Sequence, residues 1–170
     1  MAGRLPWSEL GRRIEGLSGE VQLTATAQPG TCLNLASFWV QETVHAVVLR
    51  ANALTMLVRT GGDDGVRWDD RSITVRYRTG PRSRAVFGLV ATEGEPLFLP
   101  TPDAIDEGID RTMRAWRRWS DAVDYDGEDA DDLRRSVLVL KLLIMPPTGS
   151  VAAAGTMALP ESLAGGKNWD

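Results

Sequence analysis

Cysteine and histidine are nearly absent from this 170-residue chain, since Cys32 and His45 are the single examples of each. One cysteine excludes an internal disulfide and any cysteine-built metal cluster. His45 has no Gly-x-Ser-x-Gly or cysteine nucleophile motif to serve, so it reads as a structural or surface residue. Excess charge of one sign is also missing. With 23 acidic and 19 basic residues the formal charge is −4, which gives no electrostatic reason to expect nucleic acid or an anionic membrane as partner. Long apolar runs are lacking too. The longest candidate, Val137–Met145, is far short of the ~20 residues a bilayer requires, and Lys141 interrupts it. The opening Met-Ala-Gly-Arg-Leu-Pro-Trp-Ser-Glu has no signal-peptide core, so the cytoplasm is the expected compartment. Gly61-Gly-Asp-Asp-Gly65 lacks the Gly-Lys-Ser/Thr ending of a phosphate loop. No cofactor and no metal is expected.

What is present is the composition of an ordinary globular chain, 43% hydrophobic and 25% charged, and in length it amounts to one domain. From Gly19 to about Val90 it reads as strands. Val21, Leu23, Ala25 and Ala27 alternate with Gln22, Thr24, Thr26 and Gln28, the period of a half-buried strand, and Pro29-Gly30 ends it. Short runs follow at 45–50, 54–59, 72–78 and 84–91, separated by the turn residues Gly61–Gly65, Asp69-Asp70 and Thr79-Gly-Pro81. Such spacing predicts an antiparallel sandwich rather than a parallel sheet.

The pattern then becomes helical. Thr101-Pro102-Asp103 is a helix start, with threonine as cap and proline in the first turn. Ile105, Ile109, Thr112, Trp116, Trp119 and Val123 form its expected inward face. A second helix is expected from Asp131 to Met145, buried along Leu133, Val137, Leu140 and Ile144 and stopped by Pro146 and Pro147. Trp39, Trp116 and Trp119 read as core residues, whereas Trp68 sits in an expected loop where it could stack on a sugar. The acidic pairs Asp63-Asp64 and Asp69-Asp70, with the cluster 128–132, read as turn and capping residues.

The text from Arg135-Ser-Val-Leu-Val-Leu-Lys-Leu-Leu through Pro147-Thr-Gly-Ser-Val-Ala-Ala-Ala, Leu159-Pro-Glu and Gly165-Gly-Lys-Asn-Trp-Asp170 resembles bacterial glycoside hydrolase family 15, the glucoamylase and trehalase-like enzymes. Ile14–Val21, Trp116-Arg-Arg-Trp119 and Tyr125-Asp-Gly127 extend the likeness more thinly over the rest of the chain. At 31–41 the chain departs from the family's Arg-Phe-Asp-Tyr-Gly-like segment.

The resemblance implies an α+β chain in three parts. Residues 1–100 would form an incomplete antiparallel β-sandwich, 101–127 a linker helix, and 128–170 the first helix of an (α/α)6 toroid. It implies hydrolysis of α-glucosidic bonds with inversion, on an α-glucoside oligosaccharide or trehalose, and places the catalytic glutamates beyond residue 170. The chain is therefore expected to be a piece truncated at both ends, silent in catalysis and prone to self-association through uncovered edges. Trp169 and Asp170 would lie at the wall or framework of the sugar pocket. The alternatives are a non-catalytic carbohydrate-binding sandwich and a protein-interaction module.

Overall fold

The computed structural model describes residues 6–29, 37–43, 46–69, 71–145 and 148–152. Two compact units divide the chain, 1–113 and 114–170. The first is built from β1 (Trp7–Glu15), β2 (Val21–Ala27), β3 (Trp39–Glu42), β4 (Val47–Ala51), β5 (Leu54–Gly61), β6 (Gly65–Trp68), β7 (Ile73–Thr79) and β8 (Arg84–Glu93). A helix, α1 (Pro102–Asp121), begins in this unit.

Among the described residues all the strand pairings are antiparallel. One sheet has the order β1-β8-β5-β4-β3 and the other β2-β7-β6. Leu49, Met56, Val58, Ala85 and Phe87 from the first sheet share a core with Ile73, Val75 and Tyr77 from the second. The sheets therefore pack face to face, as the strand pattern predicts for a sandwich. The chain passes between them through Gly80–Ser83, where Gly16 accepts from the Arg82 amide and donates to the Ser83 carbonyl. A Cβ on Gly16 would stand 2.1 Å from the Gly80 oxygen, so only glycine fits there.

The middle of the five-stranded sheet is buried on its other face as well. Strand alternation puts Val48, Leu57 and Val90, which are register partners, opposite the inter-sheet core, and all three are buried. Strand β8 is thus apolar on both sides, which explains its nearly unbroken run Ala85-Val-Phe-Gly-Leu-Val-Ala.

Of the sandwich strands, β1, β3 and β6 lie where the sequence pattern names none. In β1 the apolar residues Trp7, Leu10 and Ile14 are spaced three and four apart, which masks the two-residue period. Residues 65–68, read as turn and loop, form β6, so Trp68 closes a strand rather than standing in a loop. Trp39, read as core, is 78% exposed, because edge strand β3 turns it outward.

Helix α1 starts as expected, with the Thr101 hydroxyl accepting from the Ala104 amide. Its stripe is buried most fully at Ile105 and partly at Ile109, Trp116 and Trp119, whereas Thr112 is exposed.

In the second unit, α2 (Ala130–Leu142) ends three residues before the position predicted from its apolar pattern. Leu143 caps it, and β9 (Ile144–Met145) pairs with β10 (Ser150–Val151). The Ala152 amide donates to the Leu143 carbonyl, so hairpin pairing takes over the carbonyl that a further helical turn would use. No α2 residue is buried, contrary to the expectation of a buried helix. Leu133, Leu140 and Leu142 are 38%, 55% and 68% exposed. Pro146, Pro147, Trp169, Asp170, Cys32 and His45 lie outside the described residues.

Candidate functional site

The outer face of the five-stranded sheet is where α1 meets the strands, and glycines make the approach close. Gly11 of β1 and Gly88 of β8 are register partners, and Ile105 sits over both. A Cβ on Gly88 would lie 2.4 Å from Ile105 Cδ1, and one on Gly11 would lie 3.1 Å from both Ile105 and Ile109. Pro102 sits in the same way over Gly61 of β5, where a Cβ would come within 2.8 Å of it. Three adjacent strands thus offer bare backbone to the helix, and fully buried Ile105 contributes about 2–3 kcal/mol of apolar burial.

Charges set the helix register on this seat. Arg13 of β1 donates from Nε to Asp106 Oδ1, from Nη2 to the Asp106 carbonyl at 2.9 Å, and pairs through Nη1 with Asp110 at 2.7 Å. Arg84 of β8 reaches Asp106 at 2.7 Å. The two aspartates are four residues apart, one turn of the helix, so both face the same two strands. Asp110 and Asp106 hold the Arg13 guanidinium more firmly charged than usual, against a small opposing effect of burial.

Beside this seat, between edge strand β1 and α1, lies a cleft of about 510 Å³ lined by Trp7, Glu9, Gly11, Ile109, Arg111 and Thr112. The Trp7 ring is stacked on Phe98, with centroids 4.6 Å apart and planes inclined by 23°. Glu9 Oε1 and Arg111 Nη2 converge on Gly108, lying 3.2 and 3.6 Å from where its Cβ would be. An apolar ring, an acceptor, a donor and a hydroxyl therefore share one concave surface. Sequence pattern puts Ile109 and Thr112 on the inward face of the helix but does not join them to β1, because β1 and α1 are some hundred residues apart in the chain.

The residues that the sequence singles out are not brought together here. Asp63 accepts from the Thr60 hydroxyl and from the Gly65 amide at 3.0 Å, which closes the β5–β6 turn. Asp69 accepts from the amides of Arg71 and Ser72 and from the Ser72 hydroxyl. Those bonds, that of Arg71 foremost, hold its carboxyl below the usual range. Asp64 pairs with Arg78 at 3.7 Å on a second, polar cleft of about 390 Å³ that Gln22, Thr24 and Arg76 also line. Trp116 and Trp119 meet edge to face at 6.5 Å, with Lys141 Nζ 5.7 Å from the Trp119 ring. Among the described residues no group of three or more His, Cys, Asp or Glu side chains could hold a metal ion, and no helix is long and apolar enough to cross a membrane.

Comparison with known proteins adds sequence relatives to this geometry. Over 99% of its length the chain is 26% identical to a trehalase of Thermoplasma acidophilum, covering 28% of that protein. It is 25% identical to a trehalase of Thermoplasma volcanium, again over 99% of its length and 26% of the relative's. A trehalase of Mycolicibacterium smegmatis is 39% identical over 90 residues, 46% of this chain and 14% of the relative. The chain thus spans just over a quarter of the Thermoplasma proteins it matches from end to end. No family model matches it, and no solved structure matches it.

Proposed function

We propose that this chain is the sandwich-and-helix part of a trehalase-type glycoside hydrolase of the family 15 kind, with α2 as the first helix of its catalytic toroid. The observation that carries the reading is the end-to-end likeness to the two Thermoplasma trehalases, which runs through sandwich and helices alike. Chemistry on the chain agrees with a supporting role. Inverting hydrolysis of a glycosidic bond uses two carboxyl groups facing each other across the substrate, about 6.5–9.5 Å apart. Asp63 and Asp69 are instead engaged by their own turns. On this reading the catalytic glutamates belong to sequence outside these residues. Trp169 and Asp170 remain candidates for the wall or framework of the sugar pocket, and trehalose is the substrate favoured over longer α-glucosides because every relative named above is a trehalase.

The uncovered apolar side of α2 fits the same reading. Leu133 and Leu140, which lie on one face of the helix, would be covered by neighbouring toroid helices, and by self-association when those are absent. The test is glucose release from trehalose and maltose, by the chain alone and by a chimera in which it replaces the matching quarter of the Thermoplasma acidophilum trehalase. The chain alone should release none, and the chimera should release glucose from trehalose with inverted anomeric configuration, read by proton NMR. Hydrolysis by the chain alone, or a folded chimera active on maltose but not on trehalose, would overturn the proposal.

A further inference from the structure

We infer that the cleft between β1 and α1 is a binding site for a neutral saccharide of one or two pyranose rings. Trp7 serves as its stacking surface, and Glu9, Arg111 and Thr112 bind the sugar hydroxyls. The inference rests on the saccharide chemistry proposed above and adds to it a site formed wholly within residues 7–112.

A pyranose offers a partner two kinds of surface, a flat patch of C–H groups and a rim of hydroxyls that each donate and accept. An aromatic ring suits the first, and a few fixed polar groups suit the second. Both are present in the cleft. Phe98 backs the Trp7 ring, so the indole is held in place before any ligand arrives and little ordering cost falls on binding. Glu9 accepts, Arg111 donates, and the Thr112 hydroxyl does either. Glu9 and Arg111 both converge on Gly108 and Arg111 also pairs with Glu107 at 3.9 Å, so the guanidinium is offset from two sides, which favours a neutral ligand over an anionic one. A side chain at position 108 would occupy the space that the Glu9 carboxylate now fills. The volume of about 510 Å³ falls within the range of small-molecule sites.

The experiment uses the full chain labelled with nitrogen-15, whose tryptophan indole N–H signals report on each ring separately. Trehalose, maltose and cellobiose are titrated in turn, with sorbitol as a non-cyclic polyol control. The Trp7 signal, assigned by its loss in Trp7→Phe, should shift saturably with a Kd of about 1–10 mM for at least one disaccharide. Trp39 and Trp68 act as internal references. Glu9 and Arg111 are exposed, so Glu9→Ala and Arg111→Ala leave the core intact, and each should weaken binding about tenfold. A Trp7 signal that does not move, moves equally with sorbitol, or saturates unchanged in both alanine variants would overturn the inference. The readout involves no turnover. A chimera that cleaves trehalose while the Trp7 signal stays fixed removes the cleft and leaves the hydrolase reading standing, and saturable binding beside an inactive chimera does the reverse.

Discussion

Replacing Gly88 by alanine should destabilise the sandwich unit through one methyl group, and a second substitution should repair the damage. The added Cβ would lie 2.4 Å from Ile105 Cδ1, whereas carbon atoms in contact sit roughly 3.5–4.0 Å apart, so more than an ångström of clearance must open. Ile105 is fully buried and has no solvent to move into. Overpacking of this kind costs about 1–3 kcal/mol, and the lower backbone entropy of alanine in the unfolded chain returns about 0.4–1 kcal/mol. The expected net loss is about 1–2 kcal/mol. Ile105→Val removes the offending δ-methyl and by itself costs about 0.5–1.5 kcal/mol. In the double variant the new methyl occupies the space the old one vacated. Its stability should therefore match that of Ile105→Val alone, a coupling of about 1 kcal/mol or more. Urea unfolding of the four proteins, followed by tryptophan fluorescence, measures this directly. If the double variant loses the sum of the single losses to within about 0.5 kcal/mol, the two groups do not meet and the helix seat described above is wrong.

Two further predictions follow from other contacts. Thr101→Ala removes the hydroxyl that accepts from the Ala104 amide and should cost about 1 kcal/mol in urea unfolding, with Thr101→Ser restoring most of it; equal stability of the alanine variant and the parent would show that the cap is idle. Burial, with a smaller effect of Asp63, pushes the Tyr77 hydroxyl from 10.0 up to about 12, so the unfolded chain gives up that proton first. The Tyr77 contribution to stability is then constant below pH 10 and is lost as pH rises toward 12. Tyr77→Phe should flatten the fall in urea midpoint across that window, and identical slopes in the two proteins would refute the assignment.

Elements whose sequence period matches a single buried face were legible. Strand β2 and the Thr101-Pro102 start of α1 both appear where the pattern puts them, although Val21 and Leu23 at the start of β2 remain exposed. Strand β1 was not legible, since it serves two masters: Gly11 and Arg13 face the helix, while Ile14 packs on the inter-sheet core. Trp39 was misread because hydrophobicity alone cannot tell an edge strand from a central one, and pairing partners decide that. The spacing of the α2 stripe is legible, but burial needs a second surface, and no α2 residue is fully buried, Val137 being half-buried. The Trp7 cleft as a whole is not legible in the sequence. Its members are unremarkable residues at 7–11 and 108–112, and only the docking of α1 gives them a common surface.

The glycine seat separates two tasks that most clefts combine. Backbone contact through Gly11, Gly61 and Gly88, with the Arg13 and Arg84 pairs to α1, fixes how far the helix stands from the sheet. Of the side chains that look into the opening, Arg111 and Thr112 stand outside that set of contacts. Their identities can change without altering the gap between the walls. Selection or design can therefore retune what the cleft accepts, one exposed residue at a time, while its dimensions are inherited unchanged from the fold.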